Sequence, residues 1–230
     1  MVDIGIIGAM DIEIEELSSM LENPKIQSVG SLKFYTGTIF GKKIAIVKCG
    51  IGKVFAALAA EAMIIKFSPR LIVNTGVGGA LKKGLRPCDV VIAEKLLQHD
   101  MDTSALGDEK GLVSGINKIY FDSDKSARAL LLASAKSLGI NATSGVIASG
   151  DKFIAEKSEK DRIVSDFSAD VCEMEGAAIA QVCFVNGTPF AVARAISDSA
   201  DEESGMDYMT FLPIAAKNSA KLTLSLIKNF

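Results

Sequence analysis

The sequence contains a single histidine, His99, and no tryptophan. One histidine cannot form a two-histidine metal site, and a Ser-His-Asp or Cys-His catalytic arrangement would have to include this one position. Acidic side chains are far more numerous, because Asp and Glu together number 28. The scarcity of histidine therefore favours a reaction that is carried out by carboxyl groups.

Cysteine is also sparse, and its spacing excludes further classes of protein. The cysteines are Cys49, Cys88, Cys172 and Cys183, with no C-x-x-C pair among them. Isolated cysteines argue against a structural zinc site and are typical of buried thiols in a reducing compartment. We expect these thiols to lie in the core and the protein to be cytoplasmic.

Long apolar runs are missing as well. The apolar stretch at 4–10 runs directly into acidic residues and has no basic residue before it, so it resembles neither a signal peptide nor an anchor. No other segment approaches the roughly 18 unbroken apolar residues of a membrane span. The net charge is −3, with Lys and Arg scattered along the chain. We therefore expect no binding to membranes or nucleic acids and favour a small-molecule ligand.

The remaining composition suits a folded α/β domain. A length of 230 residues with 49% apolar residues is enough for one domain with its own core, which we assign to residues 1–230. Short β-branched runs typical of buried strands occur at 2–7, 43–48, 71–75, 90–96, 145–149 and 189–196. Helical periodicity occurs at 11–21, 53–67, 126–138, 175–185 and 208–227. This alternation predicts an α/β fold around a mostly parallel sheet, made mixed by a hairpin within 30–47.

Candidate site residues follow the predicted strands, because ligands of open α/β sheets bind at the carboxyl ends of strands. The glycine-rich segment 74–79 lacks the third glycine of a dinucleotide fingerprint, and no P-loop motif occurs. Its glycines indicate either a tight strand-to-helix turn or a close approach of a ligand to the backbone. Phe153 is either a core residue or a stacking platform for a flat base.

A short cluster of His99, Asp100 and Asp102 raises the question of a metal site. One histidine with two nearby carboxylates in a loop is more typical of the surface. We therefore expect no metal and assign His99 no catalytic role.

Three carboxylates stand out, namely Glu13, Glu175 and Asp198, each of which follows an apolar segment. Any one of them is best explained as a solvated surface charge, but acids at several strand ends converge on one edge of the sheet. A carboxyl group in a dry cleft has a raised pKa and exchanges protons near neutrality, whereas one beside a developing cation stays ionised. This division of roles suits cleavage of a glycosidic bond through an oxocarbenium-like transition state.

Several motifs occur together in a recognisable order. They are G-I-I-G-A-M at 5–10 with Glu13, G-I-G-K-V at 50–54, N-T-G at 74–76 with Gly79, S-G-D at 149–151 with Phe153 and Ile154, E-M-E at 173–175, and R-A-I-S-D at 194–198. In this order the sequence resembles the 5′-methylthioadenosine/S-adenosylhomocysteine nucleosidases from the first predicted strand to the last predicted helix.

The resemblance implies a nucleoside phosphorylase-like, three-layer α/β/α fold, a homodimer, no cofactor, and hydrolysis of 5′-thio-substituted adenosines to adenine and a thioribose. By position, Asp198 protonates adenine N7, Glu13 activates the attacking water, and Glu175 binds the ribose hydroxyls and faces the cationic sugar. Losing Asp198 or Glu13 should nearly abolish turnover, since such assistance contributes roughly 10²–10⁴ in rate per step. The other substrate-binding residues that the resemblance implies are Ile51, Gly79, Phe153 (stacked on the base), Ile154 (reading the adenine edge), Met174 (against the ribose), Arg194, Ser197 (holding Asp198) and Tyr208.

The sequence departs from the family pattern at three places. Val77 stands where many members have Ser, so Glu13 and Arg194 would position the water without that hydroxyl. In the family a loop of the neighbouring subunit closes the 5′ pocket with aromatic residues, whereas the matching stretch here begins at Leu106. Tyr208 replaces the usual Phe. We therefore expect a 5′ pocket of different breadth or polarity.

Two other functions stay open. A purine nucleoside phosphorylase of the same fold would need a cationic phosphate cradle, for which the chain offers Arg194 but no arginine cluster. A non-catalytic adenosine-binding module would bind adenosines without consuming them. Among nucleosidase substrates, the sequence does not rank methylthioadenosine, S-adenosylhomocysteine, 5′-deoxyadenosine and 6-amino-6-deoxyfutalosine, which differ only at the 5′ end.

Overall fold

The structure, a computed structural model, describes residues 1–198 and 204–230, with side chains except at 204–207. The strands are β1 (Ile4–Gly8), β2 (Glu22–Val29), β3 (Leu32–Ile39), β4 (Lys42–Lys48), β5 (Leu71–Ala80), β6 (Val90–Gln98), β7 (Phe121–Asp122), β8 (Ala142–Ser149), β9 (Val171–Glu173) and β10 (Phe190–Asp198). The helices are α1 (Asp11–Ser19), α2 (Lys53–Phe67), α3 (Lys125–Ser137), α4 (Lys157–Phe167), α5 (Gly176–Asn186) and α6 (Ser204–Asn229), with a 3₁₀ turn at Ser104–Leu106.

All the described strands belong to one mixed sheet centred on β5. Strand β5 runs parallel to β1 and β10, and its last residues pair antiparallel with β9. Because β6 and β8 connect β10 to β9, these five strands close into a ring, while β1, β4, β3 and β2 continue outward from β5. The predicted hairpin is β3–β4, and it extends to the antiparallel strand β2. The mixed α/β prediction is thereby confirmed.

Helices cover both faces of the sheet and make three layers. On one face α2 packs against α5, and both contribute small side chains such as Ala59 and Ala180 to a core with β1, β4 and β6. On the other face α1 and α3 pack against α6 over a second core that includes Leu17 and Leu222. Among the described residues, no helix is long and apolar enough to cross a membrane.

The differences from the predicted elements have local causes. Strand β2 was not predicted, because it is an exposed strand of largely polar sequence that contains Pro24. Helix α4 was missed since its sequence is mostly charged and only one stripe, with Ile163 and Phe167, reaches the core. Strand β5 continues five residues beyond 75 to Ala80, so its glycines lie in a strand and the tight-turn interpretation was wrong.

Candidate active site

A cleft opens where β1, β9 and β10 end beside the glycine-rich part of β5. The residues that line it are Ala9, Met10, Glu13, Ile51, Val77, Gly78, Gly79, Phe153, Cys172, Glu173, Met174, Glu175, Ser197, Asp198 and Tyr208. The structure thus brings together most of the predicted site residues. Ile154 lies in a smaller adjoining pocket, and Arg194 is buried within β10 instead of lining the cleft.

Glu13 lies in the first turn of α1, where backbone N–H groups are unpaired. Its Oε2 accepts hydrogen bonds from the amides of Ala9 (2.7 Å) and Met10 (3.0 Å), and its Oε1 accepts one from Val77 (3.1 Å). Burial raises the pKa of Glu13, although Arg194 and these amides oppose the rise. A carboxyl group in this environment exchanges a proton more readily near neutral pH than an exposed one does.

Glu175 immediately precedes α5 and faces the same cleft. Its Oε1 accepts a hydrogen bond from the Gly52 amide at 2.9 Å, and its Oε2 lies 3.9 Å from Nη2 of Arg194. Burial, together with the negative charge of Glu173, raises the pKa of Glu175 to about 7. Glu175 is therefore close to its midpoint of ionisation at neutral pH.

Glu173 is a buried acid of the cleft to which the sequence analysis assigned no role. Its carboxylate forms a buried ion pair with Arg194, whose Nε lies 3.1 Å from Oε2, and also accepts hydrogen bonds from Ser149 and from the Gly176 amide at 2.8 Å. Burial acts to raise the pKa of Glu173, but Arg194 and these donors hold it below its ordinary value. Its signal in the sequence was an acid just ahead of the predicted helix at 175–185, where free N–H groups attract carboxylates.

Asp198 ends β10 and is almost fully buried. The Ser197 hydroxyl lies 2.8 Å from its Oδ1 and 3.3 Å from the Gly78 carbonyl oxygen, so Ser197 links Asp198 to β5. The neighbouring thiol of Cys172 is not a nucleophile near neutral pH, because burial raises its pKa to about 12.

The glycines of β5 let this strand approach two carboxyl groups. A Cβ atom at Gly76 would overlap Oε1 of Glu13, and one at Gly79 would lie 2.9 Å from Oδ2 of Asp198. In the structure the groups that approach these glycines are the protein's own carboxyl groups, and the close approach of a ligand stays a prediction.

Two aromatic side chains form one wall of the cleft. Phe153 is 47% exposed, so it is not a core residue, and its ring meets that of Tyr208 edge to face at 5.6 Å between centroids. The Tyr208 hydroxyl lies 3.5 Å from Sδ of Met10. Burial raises the pKa of Tyr208, with Glu13 and Asp198 adding to the effect, so its hydroxyl stays protonated.

His99 is not a surface residue, contrary to expectation. It follows β6 and is only 5% exposed, with its ring against Gly150. Burial lowers the pKa of His99, so the ring is neutral at pH 7. Among the residues that the structure describes, no group of three His, Cys, Asp or Glu side chains could hold a metal ion. Cys49, Cys172 and Cys183 are buried as expected, whereas Cys88 is only partly buried.

The fold and the site are those of the phosphorylase superfamily. The family model of this superfamily matches residues 3–228. A 5′-methylthioadenosine/S-adenosylhomocysteine nucleosidase from Glaesserella parasuis is 39% identical over 228 residues, which is 99% of each chain. The crystal structure of the Neisseria meningitidis nucleosidase in complex with methylthio-immucillin-A covers 100% of both chains at 38% identity and a TM-score of 0.96. Futalosine hydrolase of Helicobacter pylori has a TM-score of 0.95 at 37% identity, over 100% of this chain and 98% of its own.

The chain belongs to the family of 5′-methylthioadenosine/S-adenosylhomocysteine nucleosidases. It is therefore an enzyme of the nucleosidase class, which hydrolyses N-glycosidic bonds. The resemblance seen in the sequence motifs is confirmed.

Proposed function

We propose that this chain hydrolyses the N-glycosidic bond of adenosines that carry a 5′-thio substituent, with methylthioadenosine and S-adenosylhomocysteine as substrates. The observation that carries the proposal is that Glu13, Glu175 and Asp198 line one cleft in three different environments. Hydrolysis of an adenine nucleoside has three sites of developing charge: the leaving base, the attacking water and the sugar. Each carboxyl group is suited to one of them.

Asp198 acts on the leaving base. As the bond between C1′ and N9 breaks, its electron pair passes to adenine, and a proton from Asp198 to N7 makes adenine leave as a neutral molecule. The buried position of Asp198 and its contact with Ser197 at 2.8 Å support this role, because they hold the carboxyl group in one orientation. Phe153, at the open side of the cleft, would stack on the base, and the backbone of Ile154 would read its edge.

Glu13 acts on the water. The water oxygen bonds to C1′ while one of its protons passes to Glu13. Asp198 thus gives one proton to the base and Glu13 accepts one from the water, so the numbers of protons balance. Hydrogen bonds from three amides fix the Glu13 carboxylate without neutralising it. At the position where many members of the family have Ser, Val77 contributes only its backbone N–H to this arrangement.

Glu175 acts on the sugar. It would accept hydrogen bonds from the ribose hydroxyls, and in its ionised form it would offset the positive charge that develops at C1′. Met174, next to it in the cleft, would pack against the ribose. Arg194 would act indirectly in this arrangement, since its guanidinium is held by Glu173 and by Asn74 Oδ1 at 2.5 Å.

Hydrolysis is favoured over phosphorolysis by the charge of the cleft. None of the described residues that line it is Lys or Arg, and a bound phosphate would meet several carboxyl groups there. The test is adenine release from methylthioadenosine in phosphate-free buffer. Release at a rate that phosphate does not change supports the hydrolase, whereas release only after phosphate is added would sink the proposal. Tight binding without release would instead indicate the adenosine-binding module.

The second subunit of a homodimer would complete the 5′ end of the cleft. Ile51 lines the cleft and is 55% exposed, and it continues into exposed apolar side chains of α2, namely Val54, Phe55 and Leu58. A contiguous apolar surface of this kind is typical of an interface. Leu106, 85% exposed on the 3₁₀ turn, would then be the side chain that reaches the neighbour's 5′ pocket. Sedimentation of the wild type and of Leu58→Glu tests the proposed homodimer. A monomeric wild type would contradict it.

The 5′ substituent decides among the substrates, and 5′-deoxyadenosine and 6-amino-6-deoxyfutalosine stay within the proposal. Comparing kcat/KM across the four nucleosides ranks them.

We further propose that residues 1–230 form a single nucleosidase domain, which the one continuous sheet supports. A cytoplasmic location is supported by the free thiols of all four cysteines.

A further inference from the structure

Three loops that follow different strands meet outside the cleft at Lys53, Asp100 and Asp151. Lys53 begins α2, Asp100 follows β6, and Asp151 follows β8. The Lys53 ammonium lies 2.5 Å from Oδ1 of Asp100, whose Oδ2 accepts a hydrogen bond from the Asp151 amide at 2.9 Å. The Lys53 amide donates to Oδ1 of Asp151 at 2.7 Å, which completes the connection. We refer to these three residues as the loop clasp.

Within the loop clasp the ion pair of Lys53 and Asp100 is better shielded from solvent than an ordinary surface pair, whereas Asp151 is exposed. The side chains of Lys53 and Asp100 are 17% and 33% exposed, and Lys53 also donates to Oε1 of Gln98 at 3.0 Å. Burial acts to raise the pKa of Asp100, but Lys53 and the Asp151 amide hold it below its ordinary value. Asp100 is therefore ionised at neutral pH, and its ion pair with Lys53 joins two of the three loops.

Gly52 connects the loop clasp to Glu175, which lines the cleft. Gly52 precedes Lys53, and its amide donates the hydrogen bond to Oε1 of Glu175. Gly52 has a φ of +103°, a conformation that favours glycine, and a Cβ atom there would lie 3.1 Å from Oδ1 of Asp151. Asp151 therefore fixes the backbone at Lys53, and this in turn orients the amide of the preceding residue, Gly52.

We propose that the loop clasp is a positioning device for the reaction, which holds the Gly52 amide on Glu175 through the hydrogen bond between Lys53 and Asp151. The inference rests on the proposed role of Glu175 at the sugar. Lys53, Asp100 and Asp151 are positioning residues that act through Gly52 and do not touch the substrate. A hydrogen-bond donor at Glu175 favours its ionised form, so loss of the loop clasp raises the pH at which Glu175 ionises.

The decisive variant is Asp151→Ala, which removes the acceptor for the Lys53 amide. We expect kcat/KM for methylthioadenosine to fall by about 10-fold or more, because small misplacements of groups at a reacting centre cost up to ~10²-fold. Asp151→Asn keeps an acceptor oxygen and should restore most of the rate. The matched control is Asp161→Ala, which removes a carboxylate from the exposed ion pair with Lys157 on α4 and should behave as the wild type.

The second readout needs no substrate: NMR titration of the Glu175 side-chain carboxyl carbon in the wild type, Asp151→Ala and Asp161→Ala. The other charged groups that face Glu175, namely Glu13, Glu173 and Arg194, are unchanged in these variants. A higher titration midpoint in Asp151→Ala alone supports the inference. An unchanged midpoint overturns it, even if the rate falls through loss of folded protein. If the wild type releases no adenine, the proposed function fails while the titration still decides the inference.

Discussion

Replacing Glu175 by glutamine is expected to stabilise the ligand-free protein at alkaline pH. Glu175 has its pKa raised from 4.5 to about 7, so the unfolded chain ionises this group at lower pH than the folded chain does. The free energy of unfolding therefore falls as the pH rises from 4.5, the ordinary pKa of Glu175, through about 7, its pKa in the folded chain. At about 1.4 kcal/mol per pKa unit, the carboxylate costs about 3 kcal/mol above pH 7. Glutamine cannot ionise, and its amide oxygen can still accept from Gly52.

Thermal and urea unfolding at pH 5 and pH 8, without ligand, measure this difference. At pH 5 Glu175→Gln should be more stable than the wild type by no more than about 1 kcal/mol, because only the unfolded chain ionises Glu175 at this pH. At pH 8 the variant should be more stable by about 3 kcal/mol, or about 6–12 °C in Tm for a chain of this size. Its kcat/KM for methylthioadenosine should fall, because an amide cannot offset positive charge on the sugar.

Glu173→Gln is the matched control, and it should change stability in the opposite direction. The pKa of Glu173 is lowered, so its contribution to stability is present above its ordinary pKa and is lost as pH falls. Removing this partner leaves the Arg194 guanidinium buried, which costs about 3–5 kcal/mol in comparable pairs. If Glu175→Gln is no more stable than the wild type at pH 8, or gains equally at pH 5, the charge argument is refuted.

Two further predictions concern the base end of the cleft. Asp198→Asn should lower kcat by about 10²–10⁴-fold in a continuous adenine-release assay while calorimetry still detects nucleoside binding, and a kcat within threefold of the wild type would exclude Asp198 as the general acid. Gly79→Ala should lower kcat with little change in Tm, because the added methyl group lies 2.9 Å from Oδ2 of Asp198 in the undisturbed structure; an unchanged kcat would show that this carboxyl group need not keep its position.

The predicted parts of the fold are those with a strong local pattern. Strand β1 is a short β-branched run and helix α2 a long apolar segment, so both are identified without knowledge of their neighbours. Strand β2 and helix α4 have no such pattern, because most of their residues are exposed. Their positions depend on neighbouring elements that are distant in the sequence. The closure of the sheet into a ring depends on β5 pairing with both β9 and β10, and no local sequence contains that information.

The sequence by itself determined which chemical groups are available: many carboxylates, one histidine, and glycines with acids after several strands. These groups pointed to the correct family and to residues that the structure gathers in one cleft. Only the tertiary structure decided the environment, and with it the pKa, of each acid. Glu173 and Glu175 are identical side chains two residues apart, yet the pKa of Glu173 is lowered and that of Glu175 is raised to about 7. The physical reason is that the Arg194 guanidinium, brought in by β10, pairs closely with Glu173 but lies 3.9 Å from Glu175.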